Sequence, residues 1–159
     1  MWESYNKQWF MADDAITIVI KLLHAHNCTT VLEYGTNVGY LANKLGEFKV
    51  TSIERDDRFY AEAKKNCPNA TLYHGSIEDV APMLGHYDAV ILDAQKGQYL
   101  DHFKLALSHT PKIIIADNIV SHKKKLAGFL EMIQSYNHEI ISVGDGLAII
   151  HPVRNHDRS

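Results

Sequence analysis

From Thr30 to Tyr136 the sequence alternates between two apolar periods, and that alternation leaves very few architectures open to the chain. Strand-like runs occupy Thr30–Tyr34, Lys49–Ile53, Ala70–His74, Tyr87–Asp93 and Lys112–Ala116. Each is followed by a segment with helical spacing: Val38–Gly46, Asp56–Asn66, Ile77–Leu84, Gly97–Leu107 and Ser121–Tyr136. A strand that returns parallel to its predecessor needs a crossover, commonly a helix. Repeated strand–helix units therefore predict a parallel sheet with helices on both faces. Ahead of them, Ile16, Val19, Ile20 and Leu23 mark an amphipathic helix over about Ala12–His26. Asp13 and Asp14 sit where the helix dipole favours negative charge. The end breaks the pattern, because Glu139–Val143 and Leu147–Val153 flank Gly144-Asp145-Gly146. That is a hairpin signal, which makes the last pair antiparallel.

Composition narrows the class. A chain of 159 residues with 46% hydrophobic content fits one core, so a single domain over 1–159 is expected, with 1–29 an N-terminal helical segment and 154–159 a frayed tail. The formal net charge of −3 argues against a protein that coats nucleic acid, which would present a basic face. Lys123-Lys124-Lys125 reads as a solvated helix face. The most apolar stretch, Ala15–Leu23, is interrupted by Thr17 and Lys21 and is too short to cross a bilayer. No secretory leader is recognisable, and Cys28 and Cys67 do not suggest a disulfide framework. Reduced thiols in a cytoplasm are expected.

In an open α/β sheet, ligands bind beyond the carboxyl ends of the strands, where strand order reverses. The first strand runs into Glu33-Tyr34-Gly35-Thr36-Asn37-Val38-Gly39-Tyr40, with Gly35 suited to a tight turn and Gly39 to close approach of backbone and ligand. Gly-x-x-x-Gly is not the Gly-x-Gly-x-x-Gly of pyrophosphate loops, and taken alone it is equally a structural turn. Glu54, ending the second strand, reads as an acceptor for both hydroxyls of a ribose, or else as a solvated charge. The third strand leads into Gly75-Ser76-Ile77-Glu78-Asp79, a polar turn placed to border an adenine ring. Ser76 is equally a helix N-cap there, with Asp79 completing a capping box.

Asp93 ends the fourth strand, Asp117 and Asn118 the fifth, and those two ends are neighbours in a sheet of this winding. Two carboxylates and an amide in one place form an all-oxygen site suited to Mg²⁺, although each alone is ordinary turn chemistry. Lys96, three residues after Asp93, is a candidate general base, or an exposed lysine opening a helix.

These residues carry a resemblance. The chain is similar to the class I S-adenosylmethionine-dependent methyltransferases, and within them to the metal-dependent O-methyltransferases of the catechol and caffeoyl-CoA type. Its motifs are the block Val31–Tyr40, Ile53-Glu-Arg-Asp56, Tyr87–Tyr99, Ile115-Ala-Asp-Asn118 and Asp145-Gly-Leu-Ala-Ile149. The stretch around Asp93 is the most specific: aspartate, then Lys three residues on, then Gly and Tyr. The resemblance implies a Rossmann-like, seven-stranded α/β sheet, mostly parallel, with helices on both faces and a C-terminal antiparallel hairpin. It implies S-adenosylmethionine as methyl donor, surrounded by Glu33, Gly35, Thr36, Asn37, Gly39, Tyr40, Glu54, Arg55, Gly75, Ser76, Ile77 and Asp93. It also implies a divalent cation on Asp93, Asp117 and Asn118, Lys96 as catalytic base beside Asp93, and a small-molecule acceptor bearing vicinal hydroxyls.

Two departures stand out. Gln95 replaces the second acid of the Asp-Ala-Asp-Lys run frequent in the family. The first strand begins at Thr30, whereas relatives carry further N-terminal helices over the acceptor pocket. The length leaves no room for a separate acceptor-recognition domain, so the pocket is expected to be open, completed by a second subunit in a homo-oligomer, or degenerate. The last case gives the rival reading of a non-catalytic donor-binding protein. Another rival is a short-chain dehydrogenase, because Tyr60-Ala-Glu-Ala-Lys64 matches Tyr-x-x-x-Lys, although on a helix outside the expected cleft. His24 and His26 read as a helix end, His102 as an ordinary amphipathic position. Trp2, Trp9 and Phe10 are placed to cover a core, line the acceptor pocket or meet another subunit.

Overall fold

The structure, a computed structural model, describes residues 1–154. Seven strands form one sheet: β1 (Thr30–Tyr34), β2 (Lys49–Glu54), β3 (Thr71–His74), β4 (Ala89–Leu92), β5 (Ile113–Asp117), β6 (Tyr136–Ile141) and β7 (Leu147–Arg154). Their order is β3-β2-β1-β4-β5-β7-β6, with every pairing from β3 to β5 parallel and the pairings of β7 antiparallel. Strand order reverses between β1 and β4, and this positions the cleft described below.

Alternation along each strand splits the core into two layers. Leu32, Tyr34, Val90, Leu92, Ile114, Ala116 and Ile150 face α4 (Ile77–Val80), α5 (Tyr99–Leu107) and α6 (Ala127–Met132). Val31, Ile91, Ile113, Ile115 and Ile149 face α1 (Asp13–Ala25), α2 (Tyr40–Lys44) and α3 (Asp57–Asn66). Central strands buried on both faces explain the near-continuous apolar runs at Ala89–Leu92 and Ile113–Ala116. Truncating Ile115 to Ala, for instance, is expected to cost about 2–5 kcal/mol.

Element boundaries depart from the sequence expectations where local chemistry intervenes. Pro82 has no N–H to continue α4, which tightens into a 3-10 turn over Ala81–Met83. The expected helix Ser121–Tyr136 shrinks to α6 and a 3-10 turn over Ile133–Ser135, because the Lys123-Lys124-Lys125 run lacks apolar spacing and forms turns. Tyr136 instead opens β6, buried and packed edge-on against Phe103, with a bulge before Asn137. Asp56 caps α3 with its side chain accepting from the N–H groups of Arg58 and Phe59. Ahead of α1, residues 1–12 form two short 3-10 turns, Trp2–Ser4 and Lys7–Trp9. Of the expected frayed tail, Arg154 ends β7 and 155–159 lie outside the described residues. Both cysteines are buried free thiols. Among the described residues no helix is long and apolar enough to cross a membrane.

Candidate active site

A cleft of about 920 Å³ opens over the carboxyl ends of β1, β2, β3, β4 and β5, closed on one side by the N-terminal segment. Its first wall begins at Gly35, whose φ is +98°. A Cβ there would stand 2.8 Å from the carbonyl oxygen of Asp93, so only glycine lets the turn after β1 pass the end of β4 so closely. Gly39 also has positive φ, but its close approach is to α3, where a Cβ would meet the Cys67 sulfur at 2.9 Å.

Glu54 lies across the turn. Its Oε1 accepts the Asn37 N–H at 2.7 Å and its Oε2 the Asp56 N–H at 2.9 Å. Partial burial raises its pKa against the pull of those two donors. The carboxylate is thus fixed at the cleft wall with lone pairs left for a ligand's hydroxyls. Asn37, Arg55, Gly75 and Ile77 share this side of the cleft, and Ser76 caps α4 by accepting the Asp79 N–H.

Glu33, Thr36 and Tyr40 lie behind the wall. Glu33 is buried and accepts a 2.6 Å hydrogen bond from Ser52, whose hydroxyl is 2.6 Å from that of Thr36. Burial first, and then the nearby Asp93 and Glu54 carboxylates, raise the Glu33 pKa well above its ordinary value. Tyr40 donates its hydroxyl to Asp13 and stacks flat on Phe10 at 4.3 Å.

The second wall gathers the acids. Asp93 is largely buried, its side chain 16% exposed, Asp117 is buried, and the Asn118 amide donates to Asp93 Oδ1 at 3.3 Å. Burial and then repulsion from Asp117 raise the Asp93 carboxyl well above the carboxylate range. Burial likewise pushes Asp117 up to about 6, with Asp145 adding to the shift. Asn118 has φ +64°, a left-handed conformation that asparagine tolerates and that turns its amide to the β4 end. Lys96 Nζ is 2.8 Å from the Ala94 carbonyl oxygen, 3.7 Å from Asp93 Oδ1 and 5.1 Å from the Tyr99 ring centre. Among the described residues no group of three His, Cys, Asp or Glu side chains is placed to hold a metal. What is present is two carboxylates and an amide. A pair of largely buried carboxylates with raised pKa values, in an all-oxygen set, fits a hard divalent cation, because a cation offsets the burial and repulsion that disfavour their charged forms.

Several cleft residues were not singled out as site residues from sequence. Lys7, Gln8, Trp9 and Phe10 form the rim, and Trp9 packs on Phe59 at 5.1 Å. Ser121, His122 and Asp145 close the far side, where the Ile119 and Val120 N–H groups bond to the hairpin carbonyls of Gly146 and Asp145. The left-over signal was the aromatic N-terminus, for which lining a pocket was one of three readings. Tyr60 and Lys64 lie on α3 away from the cleft, Tyr60 stacking on His74 at 4.4 Å. His24 pairs with Glu47 and His26 stacks on His151.

No family model matches the sequence. The chain is 30% identical to the catechol O-methyltransferase of Niastella koreensis over 129 residues, covering 70% of this chain and 57% of that one. The chain thus spans little more than half of that curated relative. Among solved structures, it superposes on an O-methyltransferase of tomaymycin synthesis from Streptomyces achromogenes, in complex with S-adenosylmethionine, with TM-score 0.80 and 18% identity, covering 90% of this chain and 81% of that one. It also superposes on an O-methyltransferase from Bacillus cereus in complex with S-adenosylhomocysteine, with TM-score 0.78 and 16% identity, covering 89% and 82%. The chain has the fold of the class I O-methyltransferases.

Proposed function

We propose that the chain is an S-adenosylmethionine-dependent O-methyltransferase that methylates one hydroxyl of a small vicinal-diol or catechol-like acceptor with the help of a divalent cation, Mg²⁺ being the best match to its ligands. The observation that carries this reading is the meeting of two walls in one cleft: Gly35 and Glu54 on the nucleoside side, Asp93, Asn118 and Lys96 on the other. The fold and the relatives' activities support it.

The reaction is a displacement at the donor's methyl carbon. The acceptor oxygen forms the new C–O bond, the C–S bond breaks with its electron pair going to sulfur, and the hydroxyl proton passes to Lys96 Nζ, which receives it as a neutral amine. A sulfonium and an oxyanion neutralise each other as the bond forms, so the protein contributes mainly positioning. Glu54 holds the ribose, and the Gly35 turn lets the donor approach the end of β4. Asp93, Asp117 and Asn118 would hold the cation, which would lower the hydroxyl's pKa and disfavour the charged form of the neighbouring Lys96. Tyr99 fixes the floor beneath them, its hydroxyl donating at 2.9 Å toward the carbonyl oxygens of both Leu92 and Asp117.

The test is calorimetry with S-adenosylhomocysteine, followed by methyl transfer to catechol with Mg²⁺ and with chelator. Binding and Mg²⁺-dependent transfer support the whole reading. Transfer that survives chelation overturns the cation, and absence of binding overturns the donor.

A further inference from the structure

The two sides of the cleft differ in chemistry. Trp9, Phe10, Ile53, Phe59 and Ile77 give the nucleoside side and its N-terminal rim their apolar surface. Around Asp93, Lys96 and Asn118 the lining is instead Gln95, Gln98, Ser121, His122 and Asp145, and among the described residues it includes no Phe, Tyr or Trp. Asp145 belongs with the acids, since its charge helps to push Asp117 up. A ring entering on this side finds little apolar surface to bury. Recognition beyond the reacting diol therefore falls to polar and charged groups.

His122 also opens a turn made of cations. The Leu126 N–H bonds to the carbonyl oxygens of His122 at 3.1 Å and Lys123 at 3.2 Å, and the Leu126 side chain is fully buried. One end of the turn is thus fixed in the cleft lining and the other in the core, with Lys123, Lys124 and Lys125 as its exposed crest. Such a turn advances about 5.4 Å, so all three stems start within one helical turn of His122. None of the three forms an ion pair among the described residues, in a chain whose formal net charge is −3. Consecutive like charges repel one another, and an anion settling among them relieves that repulsion.

We propose that the acceptor is an anionic diol, its hydroxyls at the acid wall and a carboxylate or phosphate at its far end among Lys123, Lys124 and Lys125. This rests on the O-methyltransferase reading above and narrows its acceptor class. The Gln95 and Gln98 amides are neutral and set no repulsion in the anion's path. An ammonium on a flexible four-carbon stem meets an anion at more than one distance, so the run selects for charge more than for acceptor length. Exposed lysines act through a screened field, and their contribution falls as salt is added. They touch neither the methyl group nor the reacting hydroxyl, so the preference lies in KM and not in kcat.

Steady-state kinetics with S-adenosylmethionine and Mg²⁺ tests this on matched acceptors. For the carboxylate the pair is 3,4-dihydroxyphenylacetate and its methyl ester; for the phosphate it is 3,4-dihydroxybenzyl phosphate and 3,4-dihydroxybenzyl alcohol. Wild type at low salt should favour an anion over its neutral partner by about three- to tenfold in kcat/KM, the worth of one or two exposed charge contacts. The pair with the larger ratio names the group. Raising NaCl to about 0.5 M should bring the ratio toward one. Lys123→Gln, Lys124→Gln and Lys125→Gln together should do the same, and because the ratio is read within one protein, a general loss of activity cancels. Changing all three to Glu should favour the neutral acceptor. Calorimetry of the same pairs on protein loaded with S-adenosylhomocysteine and Mg²⁺ should give the same order without turnover. Equal use of charged and neutral acceptors by wild type, or a preference that survives the triple Gln substitution, overturns the assignment alone. Absence of transfer to any of these diols and to catechol overturns the O-methyltransferase reading and this assignment with it.

Discussion

The side-chain amide of Asn118, at the end of β5, donates across the sheet to the carboxylate of Asp93 at the end of β4, 3.3 Å away. The carboxylate is therefore already oriented by a neighbour that would itself become a ligand when a cation binds. Replacing Asp93 with Ala should lower kcat/KM with Mg²⁺ at least about a hundredfold, as loss of a metal ligand does. S-adenosylhomocysteine affinity should change by less than about threefold, a small fraction of the worth of one ligand contact. Steady-state kinetics beside calorimetry checks both halves, and a variant that keeps wild-type turnover sinks the cation proposal.

Asp117 gives a pH signature with a definite sign. Its folded pKa, about 6, is raised from an ordinary 3.8 by burial, so its contribution to stability is present below the unfolded pKa and is lost as pH rises through about 6. Relative to Asp117→Asn, wild type should lose stability between about pH 4 and 7, by an amount on the order of 2 kcal/mol. Urea unfolding at three pH values reads this directly. Added Mg²⁺ should restabilise wild type at neutral pH but not the variant, and its affinity should fall as pH drops below about 6, where protons compete.

Glu54→Ala should weaken S-adenosylhomocysteine binding by about 1.5–3 kcal/mol, the range for hydrogen bonds to a charged group. Part of that loss is indirect, because Asn37 and Asp56 lose the acceptor of their N–H groups. Glu54→Gln, which keeps an acceptor oxygen, should recover a portion. Unchanged affinity in Glu54→Ala would remove the ribose role.

Gly35→Ala should destabilise the protein by at least about 1–2 kcal/mol, from the left-handed backbone alone. The added Cβ also collides with the Asp93 carbonyl, so donor binding and Mg²⁺-dependent transfer should fall together. Gly85→Ala is the control, since nothing lies within 4 Å of a Cβ there and no positive φ is involved.

Much of this was legible in the sequence for a physical reason. Ala89–Leu92 and Ile113–Asp117 announce themselves as strands because both of their faces are buried, and Gly144–Gly146 announces the hairpin because the turn needs positive φ. Asp93, Asn118 and Lys96 were readable as a group because each sits next to a strand end, where topology decides who meets whom. The wall at Lys7–Phe10 was not, since its position depends on packing of Phe10 on Tyr40 and Trp9 on Phe59 across long sequence separations. His102 was read as an ordinary amphipathic position for the same reason. Its partner Glu78 is brought to it only by α4 and α5 packing on one face of the sheet. Glu33, which the resemblance sets beside the donor, is turned by the strand's alternation to the α1–α3 layer, where Ser52 meets it.

The strand β7 sits inside the sheet, between β5 and β6, and this ties the acid wall to a distant part of the sequence. The wall that carries Glu54 is built on β1 and β2 and the turn before α4, whereas the outer edge of β5, a row of buried isoleucines, finds its partner only in Leu147–Ile150. Ahead of β7, the Gly144–Gly146 hairpin tethers the segment after Asn118 and brings Asp145 to the acid wall. The acid wall thus depends on a strand far along the sequence from the residues it supports, and the Gly144–Gly146 hairpin is its clasp.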